Sequence, residues 1–106
     1  MSEDGLARLY ATICARMGGD ARRSYVAQLL ADGEDAVRAK LEEELQEVLE
    51  ASRDSPAALR HESADLVFHL LVLLAARGVT WDEVAEELRR REGRSGLAEK
   101  AARPKP

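Results

Sequence analysis

A chain of 106 residues suits one domain, excludes two, and is long enough to bury a modest core. Apolar residues make up 45% and charged residues 34% but aromatics only 4%, so packing must rest on Leu, Val and Ala, the composition of a helical bundle. A net charge of -4 and a pI near 5.2 give no general attraction for nucleic acid or anionic membranes, which leaves any phosphate-bearing ligand to a metal or a local basic cluster.

Leu6, Leu9, Tyr10, Ile13 and Met17 recur at helical spacing until Gly18-Gly19, which predicts a first helix of about three turns. Its acidic start, interrupted by Arg8 and Arg16, is unlike a signal peptide, and Cys14 has no second cysteine to pair with, so a cytoplasmic location is expected. Ser24 can cap a short helix that carries Tyr25, Leu29 and Leu30 and stops at Gly33. From Asp35 to Ser52, Val37, Leu41, Leu45, Val48 and Leu49 form an apolar stripe that ends at the turn signal "SRDSP". Ser55 and Pro56 open a central helix running to Arg77-Gly78. Its apolar run "LVFHLLVLLAA" falls well short of the roughly 20 residues that span a bilayer. Thr80 caps "WDEVAEELRRRE", which is acidic in its first turn and basic in its last, as the helix dipole favours.

The expected fold is all-α, a bundle of four to five helices. Residues 1–92 form the domain, and 93–106 form a basic tail that composition marks as a frayed or peripherally docked end.

At roughly 100° per residue, the glutamates of "KLEEELQEVLEA" (40–51) separate around their helix. Glu44 lies at the edge of the apolar stripe, Glu43 and Glu47 continue the same flank with Lys40 near Glu47, and Glu42 and Glu50 face water. On the central helix Glu62, Asp65 and His69 share one stripe that runs into wholly apolar sequence. Carboxylates entering such a wall need a cation, an arginine or N–H donors, whereas His69 alone reads as a buried histidine bonded to Asp65. A short connection makes the two helices antiparallel, so that the acidic stripes face one cleft. A set of carboxylates suits a hard cation such as Mg²⁺, and therefore phosphoryl chemistry. Neither His61 nor His69 has the glutamate three residues earlier that a ferritin-like di-iron site requires, and Cys and His are too few for structural zinc.

The pattern Glu43-Glu44-x-x-Glu47, with Glu62-x-x-Asp65 following, resembles the EExxE…ExxD signature of the all-alpha, MazG-like nucleotide pyrophosphohydrolases. Within them the chain most resembles the phosphoribosyl-ATP pyrophosphatases of histidine biosynthesis. The segments "SYVAQLLADGEDAV", "KLEEELQEV", "ESADLVFHLLVLLAARGV", "ELRRR" and "SGLAEKAAR" all occur in order. The resemblance implies a Mg²⁺-dependent hydrolase that cleaves N1-(5-phosphoribosyl)-ATP to the corresponding AMP and pyrophosphate, and a homodimer whose helices complete one bundle. It assigns Glu43, Glu44, Glu47, Glu62 and Asp65 to the metal or the attacking water, with Glu44 or Glu47 acting on the water. It points to Ser24, Tyr25, Lys40, Lys100 and Arg103 as substrate-binding residues. Glu42, Val26 and Phe68 depart from the family's frequent Gly, Thr and Tyr. Two alternatives stay open: a nucleoside triphosphate pyrophosphohydrolase that cleans the nucleotide pool, and a non-catalytic helical dimerisation module.

Overall fold

Ser24, Ser55, Thr80 and Ser95 each stand in extended backbone just before a helix, and each side-chain oxygen accepts a hydrogen bond from the N–H three residues on. Such caps satisfy donors that a helix start otherwise leaves open. They fix the beginnings of four helices in the computed structural model, which describes residues 2–93 and 95–103. The elements are α1 (Ser2–Arg16), α2 (Tyr25–Ala31), α3 (Glu34–Ala51), α4 (Pro56–Ala76), α5 (Trp81–Arg91) and α6 (Gly96–Ala102), with no strand among the described residues. Gly33 turns the chain into α3 with φ 99°, a left-handed conformation that side-chain-bearing residues rarely adopt. Gly78 does the same after α4, where its N–H bonds the Ala75 carbonyl and the Val79 N–H bonds Leu74, closing the helix end.

The sixth helix corrects the expectation of four to five. Residues 96–102 are rich in alanine and follow a serine cap, so local propensity suffices to wind them although they bring almost nothing to bury. Leu97, the one large apolar side chain of α6, is 82% exposed. Within the expected domain and tail, residues 1, 94 and 104–106 lie outside the described residues.

The core gathers Ile13 from α1, Val26 and Leu29 from α2, Val37 from α3, and Leu71 and Val72 from α4. Each such side chain contributes about 1.5–3 kcal/mol by leaving water. Helix α4 is central: α3 lies along it as the dominant pairing, and α1 packs against both α4 and α5. Arg77 at the end of α4 meets Glu34 at the start of α3 at 3.2 Å, so the hairpin is antiparallel as expected. The Tyr10 hydroxyl donates to the Val79 carbonyl at 2.6 Å and fastens α1 to the α4–α5 turn. No single helix among the described residues is long and apolar enough to cross a membrane.

Candidate active site

The buried face of α3 differs from the hydrophobic stripe of its sequence. Val37, Glu44 and Ala51 are buried, whereas Leu45 and Leu49 are 48% and 53% exposed. Glu44, expected at the edge, is therefore deep in the α3–α4 interface at 4% exposure. Carboxylate oxygens of Glu44, Glu47 and Glu62 lie within 4.8 Å of one another. A second group at the same spacing comprises His61, Glu62 and Asp65, so Glu62 belongs to both. The His61 Nε2 sits 3.7 Å from an Asp65 carboxylate oxygen.

One oxygen of Glu44 and one of Glu62 are buried with no hydrogen-bond partner. Two buried carboxylate oxygens without partners, beside a third carboxylate, are costly, and a bound cation would offset that cost. An all-oxygen donor set suits a hard divalent ion. Next to the group, a cavity of about 350 Å³ is lined by Glu47, Glu50, Ala51, Asp54, Ala58 and Glu62, which gives an ion and its ligands a way in. Asp54 and Glu50 extend the acidic lining beyond the residues expected from sequence.

Of the five expected carboxylates, Glu43 is in neither group. It is exposed, and its Oε1 receives the Lys40 ammonium at 3.4 Å. Lys40 also reaches Glu44 Oε1 at 3.4 Å, so its partners are Glu43 and Glu44 rather than Glu47. Burial alone would depress the lysine pKa, but the hydrogen bonds to Glu43 and Glu44 outweigh it and hold the pKa above the ordinary value. The cation is thereby fixed beside the carboxylates.

Ser24 caps α2, accepting from the Ala27 N–H. Tyr25, the first residue of that helix, is 47% exposed, and its hydroxyl lies 2.8 Å from His69 Nε2. His69 is buried, with Nδ1 2.7 Å from the Asp65 backbone carbonyl, so the expected His69–Asp65 bond runs through the main chain. Tyr25 and Phe68 stack at 6.3 Å, and the His69 ring meets Tyr25 edge-on at 5.6 Å. Burial raises the Tyr25 pKa; Lys40 opposes that shift, and Glu44, Glu43 and Asp65 reinforce it. Val26 is buried in the core, so the missing threonine hydroxyl there removes no surface contact. Lys100, in the last turn of α6, and Arg103, its C-cap, are exposed.

The family model for phosphoribosyl-ATP pyrophosphohydrolase matches residues 6–92. The chain belongs to that family. The match contains the whole α3–α4 hairpin and every grouped carboxylate. Among proteins named phosphoribosyl-ATP pyrophosphatase, that of Caulobacter sp. (strain K31) is 54% identical over 99 residues, 93% of this chain and 92% of that one. The protein of Paracoccus denitrificans is 50% identical over 100 residues, covering 93% of each chain. That of Neisseria gonorrhoeae is 48% identical over 104 residues and covers 97% of each. Similarity to members of the phosphoribosyl-ATP pyrophosphohydrolase family thus extends past α5 into α6.

Proposed function

We propose that Glu44, Glu47, Glu62 and Asp65 hold Mg²⁺ in a phosphoribosyl-ATP pyrophosphohydrolase of histidine biosynthesis. The reaction consumes one water, breaks the anhydride between the α- and β-phosphates, and yields phosphoribosyl-AMP and pyrophosphate. The observation that carries this reading is the pair of buried, unpartnered oxygens on Glu44 and Glu62, inside a group of carboxylates that a cation would complete. Bound Mg²⁺ supplies positive charge against the triphosphate and the departing pyrophosphate.

The protein's own groups do the remaining work. Glu44 is held rigidly by Lys40 and orients the attacking water, and Glu47, exposed at the mouth of the cavity, accepts its proton. Lys40, with Lys100 and Arg103 from α6, neutralises substrate phosphates, while Glu43 keeps Lys40 in place. Ser24 presents Tyr25 by capping its helix. Carboxylates on two packed helices need little reorganisation during the reaction, which favours chemistry that depends on positioning and charge.

Two further features belong to this reading. Leu45 and Leu49 on α3 and Leu70 on α4 are exposed apolar residues, and a second copy of the chain covers them in a homodimer. The one cysteine, Cys14, is exposed, which fits the reducing cytoplasm.

The test is release of pyrophosphate from phosphoribosyl-ATP by the purified chain with Mg²⁺, which a chelator should stop. Release from ordinary nucleoside triphosphates but not from phosphoribosyl-ATP would replace the assignment with nucleotide-pool cleaning. No release from any triphosphate by a folded dimer would leave an interaction module.

A further inference from the structure

We infer that His69 is a positioning residue: it accepts the hydrogen bond donated by the Tyr25 hydroxyl and leaves the Tyr25 oxygen facing substrate as a hydrogen-bond acceptor, matched to a sugar hydroxyl rather than to a phosphate. The inference rests on the function proposed above and adds a role for each end of the Tyr25–His69 contact.

The starting point is the Asp65 backbone carbonyl, which can only accept. His69 Nδ1, 2.7 Å away, must carry a hydrogen and donate it. In the neutral ring the other nitrogen, Nε2, then holds a lone pair, and the group 2.8 Å from it is the Tyr25 hydroxyl. The Tyr25 proton is therefore committed inward. What remains outward on a side chain 47% open to solvent is the oxygen's acceptor capacity. Phosphate oxygens of a nucleotide are themselves acceptors and carry negative charge, so they are the wrong partner. Hydroxyl groups of the substrate's sugars are donors and fit.

The arrangement is also aimed. Phe68 stacks on the Tyr25 ring and the His69 ring meets it at 82°, which prevents the phenol from swinging away. Asp65 contributes its carbonyl to this chain of bonds and its carboxylate to the acidic group, so the Tyr25 oxygen is registered against the carboxylates through one residue. A histidine buried in the middle of the most apolar helix is tolerated because both nitrogens are satisfied. That much a core histidine would also achieve, and kinetics separate the two roles.

The experiment compares the unaltered chain with Tyr25→Phe, His69→Leu, His69→Gln and the double variant Tyr25→Phe/His69→Leu, following pyrophosphate release and checking the fold by circular dichroism. Tyr25→Phe and His69→Leu should each raise KM for phosphoribosyl-ATP about tenfold with kcat within about twofold, the signature of lost binding contact. The double variant should be no worse than either single one, because both changes remove the same contact. His69→Gln keeps an acceptor for the Tyr25 hydroxyl and should stay within about threefold of the original KM. Inhibition by inorganic triphosphate, which has no sugar, should be equal in the unaltered chain and Tyr25→Phe.

An unchanged KM in folded Tyr25→Phe overturns the inference. So does a double variant about a hundredfold worse, which would make the two residues independent. Weaker triphosphate inhibition in Tyr25→Phe overturns it as well, since Tyr25 would then touch phosphate. Should His69→Leu fail to fold, Tyr25→Phe and His69→Gln decide: equal losses in both sink the acceptor role of position 69. Absence of turnover in the unaltered chain is a separate result, which removes the proposed function and this inference with it.

Discussion

Glu44 of α3 and Glu62 of α4 approach within 4.8 Å across the helical hairpin, and each keeps one buried oxygen without a hydrogen-bond partner. Two like charges so placed oppose the packing that brings them together, so the hairpin without an ion carries a local cost that Glu62→Gln relieves. The metal-free Glu62→Gln protein should melt at the same temperature as the parent or higher. Saturating Mg²⁺, at about 100 times its dissociation constant, should raise parental stability by about 2.7 kcal/mol and the variant's by far less. Thermal unfolding with and without Mg²⁺ measures both. A parent indifferent to Mg²⁺ would remove the metal assignment.

The exposed leucines of α3 predict a separation of assembly from folding. If the proposed homodimer forms through them, Leu45→Glu combined with Leu49→Glu should shift the chain from dimer to monomer in sedimentation or light scattering, while each change costs the folded monomer no more than about 0.5 kcal/mol. Val37→Ala, made in the buried face about two to three turns away, should instead cost about 2 kcal/mol in denaturant unfolding.

The capping box of α5 predicts a pH dependence. The Thr80 backbone N–H and hydroxyl donate to Glu83 Oε1 at 2.8 and 3.1 Å, and these bonds hold the Glu83 carboxyl below its ordinary pKa against a small opposing effect of burial. A depressed carboxyl pKa means that the ionised form is favoured in the folded chain. Its contribution to stability is complete above the unfolded value, about 4.3, and is lost as pH falls through the lower folded value. Unfolding curves of Glu83→Ala and the parent should therefore differ most near neutral pH and converge in acid below that window. A gap that persists unchanged to the lowest pH would show that ionisation of Glu83 is irrelevant to the cap.

The tail predicts a kinetic effect without a structural one. Because Leu97 is 82% exposed, a chain ending at Gly93 should melt within about 2 °C of the full one. Its KM for phosphoribosyl-ATP should rise, as should that of Lys100→Ala/Arg103→Ala. Unchanged kinetics in the shortened protein would release α6 from any part in substrate binding.

Which of these features could be read in the sequence follows from how local each one is. Ser24, Ser55 and Thr80 announce helices because a cap acts over three residues, and the structure confirms all three side-chain bonds. The gathering of Glu44, Glu47 and Glu62 was legible for a related reason: two helices joined by a short turn leave little choice of orientation. The depth of Glu44 was not, since a helical wheel ranks directions on one helix but cannot say which direction its neighbour covers. Leu45 and Leu49 share the same apolar stripe and are nevertheless left outside the α3–α4 contact. Helix α6 escaped because a seven-residue segment with one large apolar side chain has no periodicity to detect, although Ser95 and the alanines were there to be weighed. The meeting of Tyr25 with His69, across 44 positions, is a product of tertiary packing, and no local pattern encodes it.

Only residues 52–55 separate α3 from α4. Closing so short a loop costs little chain entropy, and contacts across it form among the fastest in any fold. Glu47 and Glu62 are therefore brought together across a four-residue loop, whereas the Tyr25–His69 contact joins positions 44 apart. In terms of contact order the acidic hairpin is a local feature of the chain, and the Tyr25–His69 contact is a non-local one.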